Sequence, residues 1–308
     1  MGDCCTVGIV VVESEAWPLR RKAQPVATWE HPCAGFWRAR WADMDLYVAR
    51  TSPGKVNAAL AAQALLQRTR TDLLMSVGTA GALGDLQVGD VVIATEVLWH
   101  DTGLYLGNRF VHFGGFVYVP GRGRAVRESY RLPAPWEEAS RAWAERRSTA
   151  EQARIRVRWG TVVTGDQVVL STQRKQYLRK RFGALAVEME SAAVAQVAES
   201  WGVPWLVVRA ASDQANSEAG FDFTPLAQWS TAGNDLLARS RAAVRLARVW
   251  AADPAWRRKL RQVRNGLKVA SANAAEVALA LAASPEVRGL LAEMGGKSAH
   301  RRGRPAGA

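Results

Sequence analysis

The stretch Ala186–Ala193, with the sequence AVEMESAA, decides the fold of this 308-residue chain together with the stretch Val208–Asp213, VRAASD. Each begins as an apolar run of strand length and ends in acidic side chains, Glu188 and Glu190 in the first and Asp213 in the second. Burying a carboxylate costs several kcal/mol unless a partner offsets that cost. We therefore expect these acids to serve a ligand that carries hydroxyl groups and a basic nitrogen.

The two stretches fit one supersecondary unit. Ala184–Val187 is predicted to be a strand, Ser191–Trp201 a helix, and Pro204–Ala210 a second strand. Strand, helix and strand in that order form the unit of a parallel sheet, in which ligands bind outside the carboxyl ends of the strands. All three acids lie at such ends, so we expect them to share one site.

The rest of the chain alternates between strand and helix patterns. Strands are predicted at Thr6–Val12, Gly35–Trp41, Asp45–Arg50, Leu73–Val77, Val91–Val97 and Ile155–Val163, and helices at Glu15–Lys22, Val56–Gln67 and Trp136–Arg146. This order predicts an α/β protein with three αβα layers and a central mixed, twisted sheet. The glycine- and aromatic-rich segment between Trp99 and Pro133 is expected to be irregular and to act as a lid or a subunit contact.

The composition is that of an ordinary globular protein, with 48% hydrophobic and 22% charged residues and a formal net charge of +13. From Arg239 to the end there are 15 Lys and Arg against 4 Asp and Glu, which accounts for +11 of that charge. We therefore predict a nearly neutral catalytic domain at 1–250, a basic helical extension at 251–296 and a disordered tail at 297–308.

The extension is expected to carry a basic face at Arg257–Arg264 and two short helices at Ala274–Ala283 and Glu286–Met294. It is predicted to be solvated and to pack on the domain or on a partner subunit. The alternative partner is an anionic surface, either nucleic acid or membrane lipid.

The three cysteines, Cys4, Cys5 and Cys33, form neither a metal-binding spacing nor a disulfide framework. The apolar run Val7–Val12 is too short for the core of a signal peptide, and no stretch has the length of a membrane span. We expect a cytoplasmic protein that uses no metal and no cofactor.

Several further motifs occur in a characteristic order. They are Gly8 followed by Glu13-Ser14-Glu15, Ser52–Ala59, Val77–Leu83, Val88–Val92, His100-Asp101, Thr164-Gly165-Asp166, the Glu-Met-Glu run 188–190 and Ser212-Asp213. With these motifs, over about residues 5–235, the chain resembles the nucleoside phosphorylase and nucleosidase superfamily. It is most similar to the branch of methylthioadenosine/S-adenosylhomocysteine nucleosidases. That resemblance implies a homodimeric enzyme that hydrolyses the N-glycosidic bond of an adenosyl-type nucleoside.

The resemblance also implies roles for individual residues. Asp213, positioned by Ser212, would donate a proton to the purine N7, which requires a carboxyl group that is protonated or shares a proton at neutral pH. Glu190 would accept hydrogen bonds from the ribose hydroxyls, and Met189 would line the sugar. Glu188 has two open interpretations, a ligand contact or a carboxylate paired with Arg209 beneath the site.

The attacking water needs its own activator. Glu15 is the better candidate and Glu13 the fallback, because the spacing from Gly8 leaves both open. The loop residues Thr79, Ala80 and Gly81 would let the backbone approach the ligand. Ser76 stands where the phosphorylases of the superfamily carry a phosphate-binding arginine, which favours water as the acceptor. Phosphorolysis stays an alternative, with Arg20 and Arg21 as possible anion ligands.

The base-binding side departs from the family. Val168-Val169 stands where the nucleosidases offer a phenylalanine for stacking on adenine, so aliphatic surface is expected to grip the base. Phe223, with Phe221 as its competitor, could flank the nucleoside. The alternative of another class is a nucleoside-binding module without activity, whose basic C-terminal helices contact nucleic acid or another protein.

Overall fold

The computed structural model of the chain describes residues 5–148, 154–214 and 236–298. Its strands are β1 Thr6–Val12, β2 Pro25–His31, β3 Ala34–Trp41, β4 Met44–Thr51, β5 Leu73–Ala82, β6 Val91–Trp99, β7 Gly103–Leu106, β8 Arg109–His112, β9 Gly115–Val119, β10 Gly123–Arg127, β11 Tyr130–Arg131, β12 Val157–Thr164, β13 Ala186–Glu188 and β14 Trp205–Ala211. Its helices are α1 Trp17–Lys22, α2 Lys55–Arg68, α3 Ala134–Ser148, α4 Thr172–Phe182, α5 Ser191–Ser200, α6 Leu236–Ala252, α7 Pro254–Ala282 and α8 Pro285–Ser298.

The central sheet is mixed, as predicted. Its strand order is β11-β6-β12-β13-β5-β1-β4-β3-β2, and β14 pairs with both β5 and β6, so part of the sheet closes on itself. Strands β1, β5 and β14 run parallel to one another, whereas β2, β3 and β4 form an antiparallel meander. Because β1, β5 and β14 are parallel neighbours, their carboxyl ends meet at one edge of the sheet.

Helices cover the sheet and complete the predicted three layers. The alanine-rich helices α2 and α5 pack against each other and against the sheet, while α7 packs on β5 and β14 beside α1. Strand β14 is buried along its whole length, and its sequence WLVVRAA is apolar except for Arg209. The prediction of an αβα architecture with additional C-terminal helices is confirmed.

Helix α7 differs from the sequence-based expectation. Instead of a break before Ala274, one 29-residue helix begins at Pro254, and the side chain of Asp253 caps it by accepting from the backbone N–H of Ala255 at 2.8 Å. Ala270, Ala274 and Ala278 repeat every fourth residue and belong to the same hydrophobic core as the sheet.

The C-terminal half of α7 is therefore an integral core helix, and the predicted solvated character holds only for its basic N-terminal half. The domain division at residue 250 stays a prediction. Helix α8 extends to Ser298, and the remainder of the predicted disordered tail, residues 299–308, lies outside the described residues.

The segment between Trp99 and Pro133 is more regular than expected. It forms the hairpins β7–β8 and β9–β10 and the edge strand β11. The hairpins expose large apolar side chains, with Tyr105 72% and Tyr118 78% exposed.

Across the described residues, no single helix combines the length and apolar composition needed to cross a membrane. Pro254–Ala282 and Pro285–Met294 pass that test of length and composition only as a pair bent by 53°.

Candidate active site

A cavity of about 330 Å³ opens at the carboxyl ends of β1, β5, β13 and β14. It is lined by Val12, Ser14, Glu15, Pro53, Thr79, Ala80, Gly81, Gln167, Val168, Val169, Leu170, Val187, Glu188, Met189, Glu190, Ser212, Asp213, Val263 and Leu267. The described residues that were predicted for catalysis and nucleoside binding are all in this lining except Arg209, which lies directly behind it. The fallback Glu13 and the possible anion ligands Arg20 and Arg21 are not in it. Phe223 and its competitor Phe221 lie outside the described residues.

Glu188 and Arg209 form the buried base of the site. The Arg209 side chain is 1% exposed and its Nη2 lies 2.7 Å from Glu188 Oε2. Glu188 also accepts from the backbone N–H of Glu190 and of Ser191, each at 2.9 Å, at the start of α5. These contacts support the paired carboxylate, and because Glu188 also lines the cavity, the ligand contact stays a prediction as well.

Glu190 faces the cavity with only part of its hydrogen-bonding capacity used. Its Oε1 accepts from the backbone N–H of Gly54 at 2.9 Å, and its Oε2 lies 3.4 Å from Nη1 of Arg209. Burial raises the pKa of Glu190 to about 7, against the opposing charge of Arg209 and with the help of the nearby Glu188 carboxylate. A carboxylate with free lone pairs in this position can accept hydrogen bonds from hydroxyl groups.

Glu15 is held at the opposite wall by one residue of β5. Its two oxygens accept from the backbone N–H of Thr79 at 2.8 Å and from the Thr79 hydroxyl at 2.5 Å. A Cβ at position 78 would lie 2.3 Å from the Glu15 carboxylate, so only Gly78 lets β5 approach it. Glu13 instead pairs with Arg50 at 3.0 Å and does not line the cavity, which favours Glu15 over Glu13 as the water activator.

Asp213 has two partners, and sequence reasoning named neither. Its Oδ1 accepts from the backbone N–H of Ala82 at 3.0 Å, and its Oδ2 lies 2.6 Å from Nζ of Lys175. Ser212, which was expected to position Asp213, instead donates its hydroxyl hydrogen to the carbonyl of Ala80 at 3.3 Å. The serine hydroxyl does not position the Asp213 carboxyl group, because it is hydrogen-bonded to the backbone of the neighbouring strand β5.

The missed residue Lys175 left little signal in the sequence. It lies in α4, whose sequence TQRKQYLRKRF contains five basic residues, and a basic helix of this kind is typical of a solvated surface. Only its spacing of three residues from Leu178, also buried, distinguishes Lys175 from the exposed cations around it.

Other wall residues were also missed, and two of them come from a C-terminal helix. Val263 and Leu267 come from α7, which the sequence had placed outside the catalytic domain. They close the cavity together with Val168 and Val169, the aliphatic pair expected to grip the base.

The cavity is rich in negative charge. Four carboxyl groups line it, and no Lys or Arg is in its lining within the part of the chain that the structure describes. Ser76, at the position of the phosphorylase arginine, is buried and accepts from Nη2 of Arg209 at 2.8 Å. Arg20 and Arg21 are exposed on α1. In the described ranges, no group of three or more His, Cys, Asp or Glu side chains is placed to hold a metal ion.

Comparison with known proteins agrees with this geometry. Residues 9–252 match the family model of the phosphorylase superfamily, so the chain belongs to that superfamily. The 5'-methylthioadenosine/S-adenosylhomocysteine nucleosidase of Staphylococcus aureus (strain MRSA252) is 30% identical to it over 220 residues, which cover 70% of this chain and 90% of the relative. The predicted resemblance is thereby confirmed.

Solved structures show the same fold. The nucleosidase of that name from Neisseria meningitidis, in complex with methylthio-immucillin-A, is 25% identical with a TM-score of 0.62, over 90% of this chain and 97% of its own. Futalosine hydrolase of Helicobacter pylori is 21% identical with a TM-score of 0.64, also over 90% and 97%. At that identity the second likeness concerns the fold alone.

Proposed function

We propose that this protein is a nucleosidase that hydrolyses the N-glycosidic bond of an adenosyl-type purine nucleoside, such as 5'-methylthioadenosine or S-adenosylhomocysteine. The observation that carries the proposal is that Asp213, Glu190 and Glu15 all line one cavity from different walls. The family membership and the related nucleosidases support the same reaction.

The mechanism assigns one task to each acid. As the bond between C1′ and N9 breaks, its electron pair moves to the purine and positive charge builds up on the ribose. Asp213 passes a proton to N7, which makes the purine a better leaving group. Glu190 accepts hydrogen bonds from the ribose hydroxyls and places negative charge near the developing cation.

Glu15 completes the reaction. Two of the four lone-pair sites on its carboxylate are used by Thr79, and the others are available to a water molecule. The water oxygen forms the new bond to C1′ and its proton passes to Glu15. Met189 and the backbone of Ala80 and Gly81 provide the walls that hold the sugar and the water.

Water is favoured over phosphate as the acceptor. A phosphate dianion needs cationic or multiple N–H ligands, whereas the described lining of this cavity offers carboxylates. The guanidinium of Arg209 is close, but both of its sides are taken up by Glu188 and Glu190. Phosphorolysis and ligand binding without chemistry remain the alternatives that an experiment has to separate.

The test is a product analysis. The purified protein is incubated with a panel of purine nucleosides, with and without inorganic phosphate, and the base and sugar are identified. We expect free adenine and the free sugar at a rate that phosphate does not change. A sugar 1-phosphate would establish phosphorolysis, and intact nucleoside with measurable binding would establish a binding module.

The assembly and surroundings of the enzyme are further proposals. We propose that the protein is a homodimer, because the hairpins of residues 103–127 expose tyrosines that a second subunit would cover. Light scattering after gel filtration measures the mass directly. The cytoplasmic location, and contact of the basic half of α7 with nucleic acid or an anionic surface, stay predictions.

A further inference from the structure

Lys175 is a charged side chain buried inside the protein. Its side chain is 1% exposed, and its ammonium group lies 2.6 Å from Oδ2 of Asp213. An ammonium group in such surroundings needs a charge partner to offset its lost hydration. Asp213 provides one, and the ion pair joins helix α4 to the end of β14.

Packing holds both partners in place. Leu178, one turn further along α4, is fully buried in a cluster with Leu83, Val163 and Val187. This anchors the face of the helix that carries Lys175. Asp213 is fixed on its other oxygen by the backbone N–H of Ala82. The lysine and the carboxyl group therefore meet in one geometry with little freedom.

The ion pair lies between two cavities. Asp213 lines the nucleoside cavity, whereas Lys175 lines a second cavity of about 440 Å³ on the other side. The charged groups of this second cavity are Asp85, in the connection from β5 to β6, and Arg179, on α4 itself. On the nucleoside side, Asp213 shares its cavity with Glu15, Glu188 and Glu190. Lys175 thus supplies the positive charge in contact with Asp213, and the other three carboxyl groups lie across the cavity from Asp213.

We infer that Lys175 is a positioning residue that holds Asp213 and supplies the proton that Asp213 passes to the departing purine. The inference rests on the proposed function. One N–H bond of the Lys175 ammonium breaks as an O–H bond forms at the carboxylate oxygen Asp213 Oδ2. That O–H bond breaks in turn, and the same proton moves to N7 as the glycosidic electron pair enters the purine. The neutral amine of Lys175 then takes up a proton from water in the second cavity. Lysine can act in this way because its ammonium group can release a proton, which an arginine does not do in proteins.

The test is the pH profile of kcat/KM with 5'-methylthioadenosine, compared between the intact enzyme and Lys175→Met. In the variant Asp213 has lost its neighbouring proton donor and must take its proton from solvent, which supplies protons more readily as the pH is lowered. We expect kcat/KM to fall about 10²-fold at neutral pH, the usual size of a general-acid contribution, and the ratio to the intact enzyme to recover at least tenfold as the pH is lowered to about 5.

Two further variants serve as controls. Lys175→Gln keeps a hydrogen-bond donor beside Asp213 but has no proton to release, and it should show the same recovery in acid. Lys180→Met, which removes an exposed lysine of the same helix, should leave the profile unchanged.

The inference is overturned if a folded Lys175 variant keeps full activity, or loses activity by the same factor at every pH, because a merely structural ion pair would act in that way. Two other results would contradict the proposed function itself. If the intact enzyme releases no adenine, or if Asp213→Asn is as active as the intact enzyme, the reaction or its acid is wrong whatever Lys175 does.

Discussion

The two walls of the cavity hold their carboxyl groups in different ways. On the wall proposed to face the ribose, called the ribose wall below, Arg209 lies between Glu188 and Glu190. It also donates to the hydroxyls of Ser191 at 3.0 Å and Ser76 at 2.8 Å. On the wall proposed to face the purine, called the purine wall below, the charged partner of Asp213 within the described residues is Lys175. One wall is a network in which a single guanidinium group serves two carboxyl groups, and the other is a simple pair.

This difference in charged partners matches the task that we propose for each wall, holding charge on one and transferring a proton on the other. A guanidinium group stays protonated and offers five N–H donors in a planar arrangement, so Arg209 stabilises two carboxylates without moving a proton. An ammonium group paired with one carboxylate can share its proton. The ribose wall is therefore suited to hold charge, and the purine wall is suited to transfer a proton.

The largest expected effect is on the purine wall. Asp213→Asn keeps the shape of the side chain but cannot transfer a proton, so kcat for adenine release should fall by about 10³-fold, within the usual range for a general acid. Affinity for the nucleoside, measured by calorimetry, should change little. Asp85→Asn, which alters a carboxyl group outside the nucleoside cavity, is the matched control. An equal loss in both variants would show that Asp213 has no special role.

On the ribose wall, replacing the buried arginine should lower the stability of the protein. Arg209→Met would leave Glu188 and Glu190 buried without their cation, and breaking a buried ion pair from one side costs about 3–5 kcal/mol in free energy of unfolding. Urea unfolding followed by fluorescence measures this loss. Arg40→Met, at an arginine whose side chain is 59% exposed, should cost less than about 1 kcal/mol. Similar stabilities of the two variants would mean that the ion pairs of Arg209 do not make the expected contribution to the free energy of unfolding.

A smaller effect is expected from replacing Glu190, and it should appear in the pH dependence of stability. Its pKa in the folded protein, raised by burial to about 7, lies above the value of an unfolded glutamate, so its protonated form stabilises the fold in acid and this contribution disappears as the pH rises to 7. Glu190→Gln removes the titration. Above pH 7 the variant should be more stable than the intact protein by up to about 3 kcal/mol, because the pKa shift from 4.5 to about 7 is worth about 1.4 kcal/mol for each pKa unit.

Thermal melts at pH 5 and pH 8 check this sign. The difference in Tm between the variant and the intact protein should be larger at pH 8 than at pH 5. A constant difference would show that Glu190 does not titrate in this range. The variant should lose activity even where it gains stability, because its amide no longer places a negative charge beside the ribose.

Several elements could be predicted from the sequence because their signals are local. Strand β1 was expected at Thr6–Val12 and is found there, and β13, α5 and β14 follow the expected order. The expected parallel unit was wrong, because β13 pairs antiparallel to β5 whereas β14 pairs parallel to it. Helix α4 was missed because five of its eleven residues are basic and it lacks the apolar periodicity that marks a core helix. Helix α7 was divided wrongly because many of its buried positions are small residues such as alanine, which pack closely but contribute little to a hydrophobicity pattern.

By itself, the sequence determined the alternating fold, the carboxyl groups at the ends of β13 and β14, and membership of the superfamily, because each of these depends on residues close together in the chain. Only the tertiary structure decided which partner each carboxyl group has. Lys175 and Asp213 are 38 positions apart and Arg209 is 21 positions from Glu188, and such distant groups meet only when the helices pack on the sheet. Whether a buried charge is held fixed or shares a proton depends on that pairing, which no local pattern encodes.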